Sequence, residues 1–71
     1  MLKREQLENK LRELGYTYKT ETKRTRIFRR GTLRAFIPRR RMVSEMAAWS
    51  ILRQCGADED EIAEFIRSAR S

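Results

Sequence analysis

Ten cationic side chains crowd into residues 19–41: Lys19, Lys23, Arg24, Arg26, Arg29, Arg30, Arg34, Arg39, Arg40 and Arg41, against a single acid, Glu21. Eight of the ten are arginine, whose planar fork matches phosphate oxygens and stacks on flat rings. Phe28 and Phe36 stand among them. Guanidinium groups that hold phosphates beside a phenyl ring that stacks a base are the parts of a nucleic-acid platform, so all ten cations are candidate nucleic-acid-binding residues and the two phenylalanines candidate stacking residues. The consecutive Arg39, Arg40 and Arg41 offer three cations from one loop. Two plainer readings stand beside these: a solvated charged face for the cations, and burial under a C-terminal helix for both rings.

Other chemistries are poorly served. The chain has no histidine, which removes the commonest general base near neutral pH and the commonest metal ligand. Cys55 is the lone cysteine, so no intrachain disulfide forms, and without a neighbouring base it reads as a small packed residue in a reduced, cytoplasmic setting. Tyr16 and Tyr18 alternate onto one side of a strand and read as sheet packing. Asp58, Glu59, Asp60 and Glu61 are adjacent carboxylates on one helical turn, which diverge; they read as a helix start rather than a metal site. No catalytic residue, metal or other cofactor is expected.

The elements that must position these residues fit one small domain over residues 1–71, since a chain of this length buries only about 60% of its unfolded surface and supports a modest core. The net charge of +7 is uneven: residues 1–18 sum to +1, residues 19–41 to +9 and residues 42–71 to −3. A one-sided basic stripe of this kind is an electrostatic footprint for a polyanion. No apolar run approaches the roughly 18 residues of a membrane span, and the opening Met1-Leu2-Lys3-Arg4-Glu5 turns charged at once, unlike a signal peptide. No membrane partner is expected.

Leu7, Leu11 and Leu14 recur at helical spacing, predicting an amphipathic helix over residues 3–14 with Gly15 at its left-handed end. Tyr, Thr, Ile and Phe then alternate with charges up to Ile37, predicting three strands near residues 16–20, 23–29 and 33–37, closed by Pro38. Ser44 is a fitting N-cap for a largely apolar helix to about Gln54, with Met46 and Trp49 expected in the core; Gly56 ends it. A last helix starts at Asp58, with Glu61 placed for a capping box, and carries Ile62, Ala63, Phe65, Ile66 and Ala69 on one face. The predicted fold is α+β: a helix, a three-stranded antiparallel sheet, then two short helices.

Register decides which side chains share a face, because a slip of one residue flips them all. A two-residue loop of Arg30-Gly31 mixes Arg24 and Arg26 with Leu33, Ala35 and Ile37. A three-residue loop, residues 30–32, pairs Arg29 with Leu33, Ile27 with Ala35 and Thr25 with Ile37. It gathers Thr25, Ile27, Leu33, Ala35 and Ile37 on one face and Arg24, Arg26, Phe28, Arg34 and Phe36 on the other. The segregated pattern is the expected one.

The same order of elements resembles the HicA toxin family, whose fold is similar to a double-stranded-RNA-binding domain. The likeness rests on Leu11-Arg12-Glu13-Leu14-Gly15-Tyr16, on the hairpin ending Ala35-Phe36-Ile37-Pro38, and on Ile51-Leu52-Arg53-Gln54-Cys55-Gly56-Ala57 followed by Asp58-Glu59-Asp60-Glu61-Ile62. Family ribonucleases are expected to carry Gly-Ser-His entering the second strand, with the histidine catalytic. Here Lys23-Arg24-Thr25 stands in about that place, and Thr25 cannot shuttle protons near neutral pH. The resemblance thus implies a scaffold and an affinity for RNA, ahead of DNA, without the ribonuclease chemistry. It also implies an antitoxin-like protein partner.

Three functions follow as expectations. The first is a non-catalytic nucleic-acid-binding module, with RNA as the favoured ligand. The second is a protein–protein interaction module that docks an acidic partner through its Arg-rich sheet or loop, or pairs with a second copy through Phe28 and Phe36. The third is a divergent HicA-like mRNA interferase in which Tyr16, Tyr18 or Lys23 replaces the imidazole.

Overall fold

Leu7 and Leu11 lie one turn apart on the helix α1 (Arg4–Glu13) and are both fully buried. The computed structural model describes residues 1–70. The chain leaves α1 through Gly15, whose φ of +94° reverses its direction and delivers fully buried Tyr16 into the core. Three strands follow, β2 (Thr17–Glu21), β3 (Thr25–Arg30) and β4 (Leu33–Pro38), paired antiparallel in the order β2-β3-β4. Helices α2 (Glu45–Gln54) and α3 (Glu59–Arg70) complete an α+β fold in the expected order. Two short strands escape the sequence reading: β1 (Leu2–Lys3) pairs antiparallel with β5 (Met42–Val43), and each puts one buried residue, Leu2 and Val43, under the helices.

The capping chemistry is as the residue types dictate. The Ser44 hydroxyl accepts the Ala47 N–H at 3.1 Å, and the Asp58 carboxylate accepts the Glu61 N–H at 2.8 Å, each satisfying an orphan donor of the first turn. The Glu61 carboxylate does not complete a capping box. It takes the Lys10 ammonium at 3.1 Å and so ties α3 to α1.

The expected hairpin register is corrected. The loop has two residues, Gly31 and Thr32, because Arg30 pairs with Leu33, Phe28 with Ala35, Ile27 with Phe36 and Arg26 with Ile37. Gly31 supplies the positive φ, +60°, that a tight hairpin turn needs at its first central position. This register turns Arg26, Phe28 and Arg30 inward with Ala35 and Ile37, the mixture of charge and apolar groups that segregation argued against. Inward arginines are tolerated because α1 supplies their partners. Glu8, 4% exposed, lies against Arg26, and the carbonyl of Leu14 accepts from Arg30 at 2.9 Å. Ile27 turns outward instead, and Leu33, at the hairpin tip beyond the helices, is exposed.

A second correction concerns α2. Met46 is 80% exposed and Trp49 39% exposed, not core. The helix turns Ala48 and Leu52 inward instead, into the cluster with Phe28, Ile37, Ile62 and Leu2.

Candidate nucleic-acid interface

The core of the sheet is one-sided. Phe28, Ala35 and Ile37 are buried beneath the helices, so alternate residues face away from them. Cross-strand pairing lays that outer face down in rows: Thr17, Arg29 and Arg34; then Thr20, Ile27 and Phe36; then Thr25 and Pro38. The rows stand about 7 Å apart, two residues along a strand. A bulge between Tyr18 and Thr20, at Lys19, brings Thr17 and Thr20 onto this one face. Phe36 is 57% exposed at its centre. Phe36 is paired in register with Ile27 of the neighbouring strand and lies two residues from Arg34 along its own.

Phe28 is a correction. It is fully buried, meets Tyr18 edge-on at 5.9 Å between centroids and lies under the Arg12 guanidinium, so it cannot stack a base. The two phenylalanines are opposite in fate because they sit on strands whose registered partners differ: Phe28 pairs with inward Ala35, Phe36 with outward Ile27.

The ten cations divide into two sets. Arg26, Arg30 and Arg39 are committed within the fold. Arg26 is held by Glu8 at 2.7 Å and Glu21 at 3.1 Å and lies over the Tyr18 ring. Arg30 donates to the Leu14 carbonyl and covers the Tyr16 ring, its Cδ only 2.9 Å from where a Cβ on Gly15 would lie. Arg39 pairs with Glu21 at 3.2 Å, and its guanidinium donates to the Thr22 carbonyl at 3.0 Å. The other seven, Lys19, Lys23, Arg24, Arg29, Arg34, Arg40 and Arg41, are exposed and have no side-chain partner among the described residues.

The committed Arg39 positions the free ones. Its backbone N–H also donates to the Arg24 carbonyl at 2.9 Å, so the turn with Lys23 and Arg24 and the loop with Arg40 and Arg41 are fastened at one end of the sheet. Thr22 shapes that turn, its hydroxyl accepting the Thr25 N–H at 3.2 Å. The Arg41 carbonyl takes the Arg4 N–H at 2.9 Å, which anchors the same loop to α1. Four free cations thus stand at one end, Arg29 and Arg34 toward the other, and Phe36 between.

Arg29 and Arg34 are directly opposite one another on neighbouring strands. Side chains so placed have Cβ atoms about 4.5–5.5 Å apart, and like charges there destabilise the sheet. Neither has an acidic neighbour on the face. The pair is an electrostatic liability to the free fold that one shared anion would relieve.

The candidate acid–base groups do not gather. Tyr16 is buried at the start of β2, its phenol pushed upward by burial first and then by the neighbouring Cys55 thiol. Tyr18 faces the inner side, its hydroxyl donating to Glu21 at 3.3 Å. Lys23 stands in the turn beyond the far end of β2 from Tyr16. Cys55 is buried, and that burial raises its thiol. Among the described residues no cluster of His, Cys, Asp and Glu could hold a metal ion, and no helix is long and apolar enough to cross a membrane. Comparison with protein-family models, curated proteins and solved structures returns no match for this chain.

Proposed function

We propose that this protein is a non-catalytic nucleic-acid-binding module that receives RNA on the outer face of its sheet. The observation that carries the proposal is Phe36, more than half exposed on an uncovered sheet face and bracketed by free cations. In a folded chain with so small a core, an outward phenylalanine gains nothing from the interior. Beside guanidinium groups it offers a flat apolar surface to a base whose phosphates those groups hold. Such stacking requires an unpaired base, so a single strand fits this face better than a duplex. Arg29 and Arg34 would hold one phosphate, and Lys23, Arg24, Arg40 and Arg41 would follow the backbone past the end of the sheet. The resemblance to HicA-like toxins supports RNA as the polyanion and enters the reading as scaffold only.

The test is fluorescence anisotropy with a labelled single-stranded RNA and an RNA duplex across a salt series. Affinity should fall with salt by about 0.7 logarithmic units per decade for each phosphate neutralised on a single strand. Phe36→Leu should weaken the single strand by roughly five- to 150-fold, the range that removal of a base–aromatic stack spans, and leave the duplex little changed. Absence of binding at low salt would refute the proposal.

A further inference from the structure

A second surface lies outside the sheet. Met46, Trp49 and Arg53 recur at intervals of three and four residues along one side of α2, Met42 lies just before that helix on β5, and all four are exposed. Met42 is 39% exposed, Met46 80% and Trp49 39%, and Met1 at 71% extends the patch beside Met42. The core uses the other side of α2, where Ala48 and Leu52 are buried. Two clefts flank the stripe. One, of about 340 Å³, runs between α2 and α3 past Trp49, Ala63 and Ile66; the other, of about 290 Å³, opens between Met1, Met42 and Ala47. A contiguous apolar patch with polar ends marks an interaction site. Methionine adapts to a partner's shape, and tryptophan is the commonest energetic anchor of an interface.

Charge selects the occupant. Arg40 and Arg41 stand at the Met42 end of the stripe and Arg53 at the other. Glu45 is the sole acid of α2, and both its oxygens are taken by the Arg70 guanidinium, so it offers no free charge to a visitor. A second copy laid antiparallel would set Arg53 on Arg40 and Arg41; laid parallel, it would set Arg53 on Arg53. Like charges oppose self-pairing both ways. The clefts, which can each receive an inserted side chain, favour a partner with relief over the flat plane of a bilayer.

We propose that the Met42–Met46–Trp49 stripe docks an acidic amphipathic segment of a partner protein, its apolar residues at helical spacing on the methionines and Trp49 and its carboxylates on Arg40, Arg41 and Arg53. The recognition is that of a helix laid in a groove. It shares Arg40 and Arg41 with the proposed RNA path but uses none of the sheet's outer face, and it holds whether or not that face binds RNA.

The experiment is selection of displayed random 16-residue peptides on the full chain, with counter-selection on Met46→Ser. That variant alters a side chain so exposed that folding is undisturbed. Acid-rich peptides with apolar residues three and four apart should be enriched. The leading one, synthesised, should bind about 30-fold more weakly to Trp49→Ala, a loss typical of an interface anchor. It should bind at unchanged strength to the Arg29→Ala, Arg34→Ala double variant. Failure to enrich over Met46→Ser, or enrichment of basic or uncharged peptides, overturns the proposal. So does sedimentation showing a dimer that Met46→Ser dissolves, or binding to phosphatidylglycerol vesicles that Trp49→Ala abolishes while no peptide is enriched.

Discussion

Glu8 lies with its Oε2 atom 2.7 Å from Nε of Arg26, although Glu8 is only 4% exposed and the two residues belong to different elements. Arg4 approaches the same oxygen at 3.4 Å from within α1. Neither approach is an aimed hydrogen bond at that atom, so the attraction is charge on charge. Removing a charge from water is costly unless a counter-charge is at hand, and here each arginine and the buried carboxylate supply it to one another. The arrangement fixes which face of β3 turns inward, and therefore which face of the sheet carries Arg29, Arg34 and Phe36.

Truncating Glu8 strands two partly buried guanidinium groups. Glu8→Ala should destabilise the fold by about 2–3 kcal/mol, below the 3–5 kcal/mol typical of a fully buried broken pair because Arg26 keeps Glu21. Urea unfolding would read this as a lower midpoint at unchanged slope. Replacing both partners, Glu8→Leu with Arg26→Leu, should recover much of the loss, since paired apolar groups avoid the desolvation cost.

What the sequence alone reveals follows the range of each signal. The bounds of α1, α2 and α3, the caps at Ser44 and Asp58 and the reversal at Gly15 depend on residues within one turn of each other, and all are legible. Register is not. Arg26 faces inward because of Glu8, 18 positions away on another element, and no local pattern along β3 reveals a partner there. The two phenylalanines follow the register: Phe36 is outward as its alternation suggests, whereas Phe28, expected beside it, is inward. Met46 and Trp49 defy expectation for a related reason. The segment from Met46 to Leu52 is apolar on nearly every side, and only the placement of α3 decides which side is covered. The free set of seven cations is legible as a cluster; the commitment of Arg26, Arg30 and Arg39 to structure is not.

Gly15 combines a left-handed backbone with a close neighbour. Gly15→Ala places a methyl group 2.9 Å from Cδ of Arg30 at a φ of +94°. The backbone strain alone costs about 1–2 kcal/mol. Displacing Arg30 also threatens its bond to the Leu14 carbonyl. Thermal unfolding should fall by roughly 4–8 °C for each kcal/mol of destabilisation in a domain of this size. Lys19→Ala, in the exposed bulge, serves as the neutral comparison.

Arg34 offers a test in which stability and binding move in opposite directions. Arg34→Glu converts the opposed like charges at Arg29 into an opposite pair, which should stabilise the hairpin by about 0.2–1 kcal/mol. On the proposed function, the same change should weaken RNA binding, and it should flatten the salt dependence by about 0.7 in slope, the share of the one phosphate that Arg29 and Arg34 hold. A variant that is more stable and binds unchanged would place the anion site elsewhere.

Glu45 and Arg70 join α2 to the end of α3, with Nε of Arg70 2.7 Å from one carboxylate oxygen and a second nitrogen on the other. The hydrogen bonds from Arg70, more than its charge, hold the Glu45 carboxyl below its usual 4.5, and the same pairing raises Arg70. A carboxylate depressed in the folded state binds its proton more weakly than in the unfolded chain. Its contribution to stability is therefore fully present above 4.5 and is lost as pH falls through the lower folded value. Urea midpoints followed from neutral pH downward should fall more steeply below about pH 4.5 in the parent chain than in Arg70→Ala. The two curves should run parallel above about pH 6, where Glu45 is ionised in both states. High salt should narrow the gap between them, because the pair is open to solvent.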